Sequence, residues 1–275
     1  MRQILPILLL IIGSSINTFS QQKDINNINL LEDTKPSPLD WDMSLTLKSQ
    51  NVFRGLLPSA APAMASQLGV KYKNWVAAMY GGVGLDGVYQ ETDFIFGYYT
   101  PRFNVRFEYY YNFTQGITDI PIPSGIFDFN RQTTRGFLDF IISVQLDKKG
   151  RWNLTSSTLV FGRDTYIETI EQEGEEITRR GDQRYTQYLQ LEYNWYWGKN
   201  KLKAHIGGSF SLTDPSGSQF YGSKAGLNDV GLAVIRKVQL NDNITLPLKI
   251  GMITNPLHQT SYLNVAIDIF QITKW

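Results

Sequence analysis

Residues 102–114 read RFNVRFEYYYNFT. Phe103, Val105, Phe107, Tyr109, Tyr111 and Phe113 fall on one parity, and Arg102, Asn104, Arg106, Glu108, Tyr110 and Asn112 on the other. An extended chain sends successive side chains to opposite faces, whereas a helix, with its period of 3.6, would mix the two sets. The segment therefore reads as a strand with one apolar face and one polar, charged face. Such a strand suits a wall between hydrocarbon and water, although a soluble sandwich also contains alternating strands. The remainder of the chain decides between them.

The same alternation closes the sequence. In 262–275, YLNVAIDIFQITKW, Leu263, Val265, Ile267 and Ile269 share one face and Asn264, Ala266 and Asp268 the other. The segment stops on Trp275, whose ring would sit in the aromatic girdle at the membrane interface. A final strand of this kind is the segment expected to meet the barrel-assembly machinery. At the other end, 41–54 sends Trp41, Met43, Leu45 and Leu47 outward and Asp42, Ser44, Thr46, Lys48 and Gln50 inward. Further strands are expected at 63–72, 75–83, 88–99, 134–146, 152–163, 184–197, 201–213, 227–240 and 244–254. The total is about twelve, an even number as bacterial barrels require. The expected fold is all-β, a transmembrane antiparallel up-and-down β-barrel.

The connections support this reading, because such barrels keep short turns on the periplasmic side and longer loops outside. The turns at 73–74, 100–101, 147–150, 198–200 and 241–243 fall on one side and are all short. Those at 56–62, 114–133, 164–183 and 214–226 fall on the other and are mostly long and polar, while 85–87 and 255–260 are compact. Two strands break the pattern. Trp152 and Leu154 have one parity and Leu159 and Phe161 the other, which predicts a bulge near Ser156 and Ser157 or a misplaced strand. Pro247 removes a ladder donor from its strand.

Residues 1–20 carry an early charge, Arg2, then an apolar run at 4–12 and small polar residues, the pattern of a secretory signal peptide. The apolar run is well short of the ~20 residues a membrane helix needs. Residues 21–39, interrupted by Pro36 and Pro38, read as a flexible periplasmic leader, and 40–275 as the barrel. Aromatic residues make up 13% of the chain and charged residues only 19%, below the ~25% usual in soluble domains. Removing Arg2 leaves basic and acidic residues in balance, which gives no reason to expect nucleic acid as a partner. There is no cysteine, so neither a disulfide framework nor a lipid anchor on an N-terminal cysteine is available.

Residues 51–84, NVFRGLLPSAAPAMASQLGVKYKNWVAAMYGGVG, resemble the opening of the TorF-family porins. There a first strand ends in a Phe-Arg-Gly step, carried here by Phe53, Arg54 and Gly55, and a short loop, a strand, a tight turn and an aromatic strand rich in Ala and Gly follow. The loop with Pro58 and Pro62 departs from the more polar loop of the family. The resemblance implies a Gram-negative outer-membrane barrel of porin type, and it brings no catalytic residues.

Other constellations have weaker support. Gly82, Gly84 and Gly87 match G-x-G-x-x-G, but a turn and another alternating strand follow instead of a helix, so a hairpin fits better than a dinucleotide site. His205 with Ser209 or Ser211 is the only candidate pair for a lipid-modifying enzyme, and its parity faces the lumen, away from lipid. The carboxylates Glu168, Glu171, Glu173, Glu175 and Glu176 could attract calcium, but their spacing is not that of a calcium loop. No cofactor or metal is expected.

The inward set carries the functional reading. Lys48, Arg106, Glu108, Asp139, Glu192, Lys203, Lys249 and Asp268 stand opposite the lipid-facing set, represented by Phe103, Phe107, Tyr109, Leu263, Val265, Ile267 and Ile269. Charges in hydrocarbon cost several kcal/mol, so they must face water or one another. Ala63, Ala65, Gly207, Ser209, Gly231 and Ala233 are expected to leave room between them. The reading is a channel in the outer membrane for passive diffusion of small polar solutes through a mixed-charge lumen. Its alternatives are a non-conducting structural or adhesion barrel and, behind it, the lipid-modifying enzyme. Outer-membrane lipid and a small polar solute are the expected partners; nothing in the sequence fixes an oligomer.

Overall fold

A computed structural model describes residues 39–114, 124–241 and 244–273. The expected signal segment 1–20, the expected leader up to residue 38 and Trp275 lie outside the described residues. In chain order the strands are β1 (Asp40–Lys48), β2 (Asn51–Phe53), β3 (Leu56–Ser59), β4 (Ala63–Tyr72), β5 (Trp75–Gly84), β6 (Gln90–Tyr99), β7 (Phe103–Asn112) and β8 (Gly136–Gln145). They continue with β9 (Trp152–Gly162), β10 (Thr165–Gln172), β11 (Glu175–Gln183), β12 (Thr186–Trp197), β13 (Asn200–Ser211), β14 (Gly226–Asn241), β15 (Ile244–Asn255) and β16 (Thr260–Thr273).

Twelve of these strands form one closed antiparallel barrel, in the order β1-β16-β15-β14-β13-β12-β9-β8-β7-β6-β5-β4. Each wall strand pairs with its neighbours in sequence, and β16 closes on β1 from Asp42↔Thr273 to Lys48↔Ala266. Closure leaves no free edge, so each wall strand has a hydrogen-bonded neighbour on both sides. A ten-residue strand such as β7 rises roughly 33 Å, enough to cross an apolar band of ~25 Å at the tilt of a barrel.

The two faces of the wall differ as the period of two dictates. Trp41 is 57% exposed and Leu263 68%, and Met79, Phe96, Phe103, Phe107, Trp195 and Met252 are exposed beside them. Their chain neighbours Asp42, Arg106, Glu108, Asn194 and Asn264 are buried. On the outside, Trp75 stacks on Phe96 at 5.3 Å between ring centroids and Trp152 lies 4.6 Å from Tyr193, both beside the short turns. Tyr109 has the outward parity but is only 9% exposed. Its ring meets Phe129 at 5.4 Å and its hydroxyl donates to the Ile126 carbonyl at 3.3 Å, so the connection after β7 covers it instead of lipid.

Several expected boundaries change. The expected strand 41–54 leaves the wall after Lys48, and 51–59 instead make a separate two-stranded unit, β2–β3. The expected loop 164–183 is mostly the ribbon β10–β11, which turns at Glu173 and Gly174, both with positive φ. The bulge expected near Ser156 lies further on: Leu138 pairs with Phe161 and Asp139 with Leu159, leaving Val160 as the extra residue. The outward parity of Trp152 therefore persists through Thr158, and Leu159 is buried on the inner face. At Pro247 the ladder to β16 stops one residue away, at Leu248↔Ile267, because the proline has no N–H to extend it.

Candidate functional site: a hairpin inserted into the barrel lumen

The hairpin β2–β3 grows from the end of β1 opposite the short turns and folds into the barrel. It turns on two residues, since Phe53 pairs with Leu56, and both Arg54 (φ 48) and Gly55 (φ 79) are left-handed. Two left-handed central residues are the mark of a type I′ turn, whose twist matches the strands it joins. Only glycine fits at the second position, because a methyl group on Gly55 would overlap the Asn228 carbonyl oxygen.

Apolar packing holds the flanks of this turn. Val52 is fully buried against Ala233 and Ile253 of the inner wall, with Leu57 and Tyr262 beside them. Phe53 packs on a second cluster of Tyr110, Phe137 and Leu159, joined by Phe220 from the connection between β13 and β14. Fully burying a side chain such as Val52 contributes roughly 1.5–3 kcal/mol, and the partly buried Phe53 contributes less. The inward, apolar Leu159 that breaks the expected pattern of β9 is thus the floor on which Phe53 rests.

Arg54 makes the polar half of the seat. Its guanidinium lies 2.7 Å from the Asp139 carboxylate, donates to Ser157 Oγ at 2.7 Å and to the Tyr221 hydroxyl at 2.5 Å. The group also lies 4.8 Å from the Tyr188 ring centroid, 4.8 Å from that of Phe53 and 5.7 Å from that of Tyr221. Asp139 is 0% exposed and also accepts from Ser157 Oγ at 2.6 and 2.8 Å. The backbone is clamped from across the barrel: Asn228 Nδ2 donates to the Arg54 carbonyl at 2.8 Å and Asn255 Nδ2 to that of Gly55 at 3.0 Å.

The eight charged residues expected on the inner face are all buried there. Lys48 donates to the Tyr80 hydroxyl at 2.9 Å and to Asn51 at 3.3 Å. Arg106 donates to Glu108 at 2.6 Å and to Asn104 at 2.6 Å, and Glu108 accepts a short hydrogen bond from Tyr110. Lys203 and Glu192 meet at 2.5 Å, with Asn194 donating to Glu192 at 2.8 Å. Thr46 donates to Asp268 at 2.7 Å. Lys249 is buried on the inner face of β15. Asp139 alone of the eight is brought into the hairpin seat.

At two of the small inward residues, Gly207 and Gly231, the expected room is taken up by rings. A side chain at Gly207 would collide with Tyr188, and one at Gly231 with His205. These glycines are notches for side chains of the adjoining strand, so they tighten the lumen instead of widening it. His205 bonds Asp229 at 2.8 Å, Asp229 accepts from the Tyr188 hydroxyl at 2.8 Å, and Ser209 donates to Asn228 at 2.9 Å. The histidine and serine weighed for catalysis thus engage different partners. Above the seat, burial pushes the Asp164 carboxyl up, against the Thr186 N–H at 2.7 Å and the Arg184 guanidinium at 3.2 Å, which favour its charge.

Among solved structures, the chain is similar to the NanC porin, with 11% identity and a TM-score of 0.40 over 86% of this chain and all of that one. It is also similar to an outer membrane channel from Pseudomonas putida F1, with 8% identity and a TM-score of 0.37 over 86% of this chain and 96% of that one. No residue role passes to this chain from either. No family model and no curated protein sequence matches it, so the resemblance to TorF-family porins rests on the Phe53–Gly55 step and the strand rhythm.

Tyr188 and Asp229 share the inward parity of Glu192 and of Gly231 but are missing from the expected lining set, while Arg54 and Tyr221 lie outside the wall strands, where parity gives no signal. Arg54 entered the sequence reading only through the family resemblance. The available signal was a glycine as second residue of a two-residue turn, directly after Phe53.

Proposed function

We propose that the chain is a bacterial outer-membrane channel for small polar solutes, lined by Lys48, Arg106, Glu108, Asp139, Glu192, Lys203, Lys249 and Asp268. One observation carries the reading: in the described wall strands, charged side chains such as Lys48, Arg106, Glu108 and Asp139 are buried on the inside of a closed barrel whose outside presents exposed Trp, Phe, Leu and Met side chains. A purely structural barrel could fill its interior with apolar packing, whereas a dozen strands lined with polar groups suit a solvated path. The outer face meets outer-membrane lipid, and β16 is the segment offered to the assembly machinery. In this conformation the inserted hairpin occupies the path, so conduction requires it to shift.

A non-conducting structural barrel is the second reading. The observation favouring it is the water-excluded hairpin seat, in which Asp139, Ser157 and Tyr221 are all fully buried. Single-channel recording of the refolded protein in planar bilayers separates the two. Discrete current steps are expected; their absence at every voltage, in protein whose hairpin has been removed, would leave the structural reading standing.

A further inference from the structure

The hairpin seat has the chemistry of a receptor. Asp139 from β8 and Ser157 from β9 supply the anionic and hydroxyl acceptors, Tyr188 from β12 a ring face, and Tyr221 both a ring and a hydroxyl. All four belong to the wall or to the connection between β13 and β14. The guanidinium comes from the hairpin, at the tip of a two-residue turn, together with the Phe53 ring 4.8 Å from it. A planar, delocalised cation matches this arrangement, because its edge bonds carboxylate and hydroxyls while its faces lie on rings; a compact ammonium satisfies only the charge.

Asp139 also needs such a partner. A carboxylate held at 0% exposure is expensive without a counter-charge, and the Ser157 hydroxyl supplies hydrogen bonds but no charge. When the hairpin shifts, as the channel reading requires, the vacated carboxylate must take water or another cation. We propose that the Asp139–Ser157–Tyr188–Tyr221 seat is a binding site for small guanidinium-bearing solutes, and that Arg54 is a tethered stand-in for them. The proposal rests on the channel reading for its purpose, and names the solute class that would displace the hairpin. Tethering gives Arg54 an effective concentration in the millimolar range or above, so a free guanidinium competes poorly in the intact protein and well once Arg54 is gone.

The test is calorimetric titration of ethylguanidinium chloride into refolded protein in detergent micelles, with urea as the neutral planar control. Arg54→Gly removes the side chain and relaxes a left-handed turn position; Arg54→Asn serves if the glycine form does not fold. Affinity for ethylguanidinium is expected to rise at least tenfold from wild type to Arg54→Gly and to fall at least tenfold when Asp139→Asn is added, with no urea binding in any form. Equal affinity in wild type and Arg54→Gly, or an affinity indifferent to Asp139, overturns the site. The same variants, together with protein lacking 50–61, keep the two readings apart in planar bilayers. Current without ethylguanidinium binding rejects the site and retains the channel, whereas binding with no current even from the protein lacking 50–61 retains the site and rejects the channel.

Discussion

Gly55 is the residue on which the inserted hairpin depends. At φ 79 a side chain costs about 1–2 kcal/mol in backbone strain alone, and here it would also overlap the Asn228 carbonyl oxygen. Gly55→Ala is therefore expected to loosen the turn and expose Arg54, which is largely shielded in its seat. Limited trypsin digestion with mass spectrometry reads this directly: cleavage after Arg54 should accelerate at least tenfold over wild type, and unchanged protection would show that Val52 and Phe53 alone retain the hairpin. A different residue governs the turn between β8 and β9. Asp147 accepts the backbone N–H of Trp152 at 2.8 Å, of Arg151 at 2.7 Å and of Lys149 at 3.2 Å, and these bonds, that of Trp152 foremost, hold its carboxyl below the usual range. Since the folded value is depressed, the stabilisation is fully present above the unfolded value of ~3.9 and is lost as pH falls through the folded one. Comparing urea midpoints at pH 5 and pH 2.5 should give a smaller acid loss for Asp147→Asn than for wild type; equal losses would remove Asp147 from the acid response.

At the scale of elements, the wall and the plug follow different rules. β1 and β4 are joined in the wall up to Lys48↔Ala63, so 50–61 form an excursion that the barrel does not need for closure. Replacing 50–61 by a short Asn-Gly linker is expected to leave a heat-modifiable barrel on unboiled gels, to lower its melting midpoint by losing the burial of Val52 and Phe53, and to give persistent current in bilayers. A barrel that still fails to conduct would favour the non-conducting structural reading. The wall strands were legible because a period of two is written on both faces at once: Phe103 and Phe107 cannot face water while Arg106 and Glu108 face lipid. The hairpin was not legible, because Val52 and Phe53 are apolar for contact with the inner wall, and parity does not distinguish that contact from lipid. Leu159 misled for the same reason, its burial being set by Phe53 from a distant part of the chain. Tyr109 had the right parity and the wrong neighbour, since a connecting segment covers it. The inward charges were legible as a set, but their pairing depends on cross-strand register, which alternation does not determine.

For the whole molecule, the channel reading turns on how the interior charges balance along the proposed path. Arg106 with Glu108 and Lys203 with Glu192 are close pairs on the inner wall, so each pair contributes little net field to a passing ion while intact. Breaking a buried pair leaves one charge uncompensated, at a cost of about 3–5 kcal/mol when water cannot reach it and less in a solvated pore. The measurement therefore belongs in the background lacking 50–61, where the lumen is expected to be wet. There Glu192→Gln leaves the Lys203 ammonium facing the path and should move the reversal potential in a salt gradient toward anion preference. Lys203→Met leaves the Glu192 carboxylate and should move it toward cation preference, and the double variant should return close to the parent. High salt should compress both shifts, because at 1 M the screening length falls to about 3 Å. If the reversal potential is the same in all four proteins, these charges serve only to hold neighbouring strands together, and ion preference is set elsewhere in the lumen.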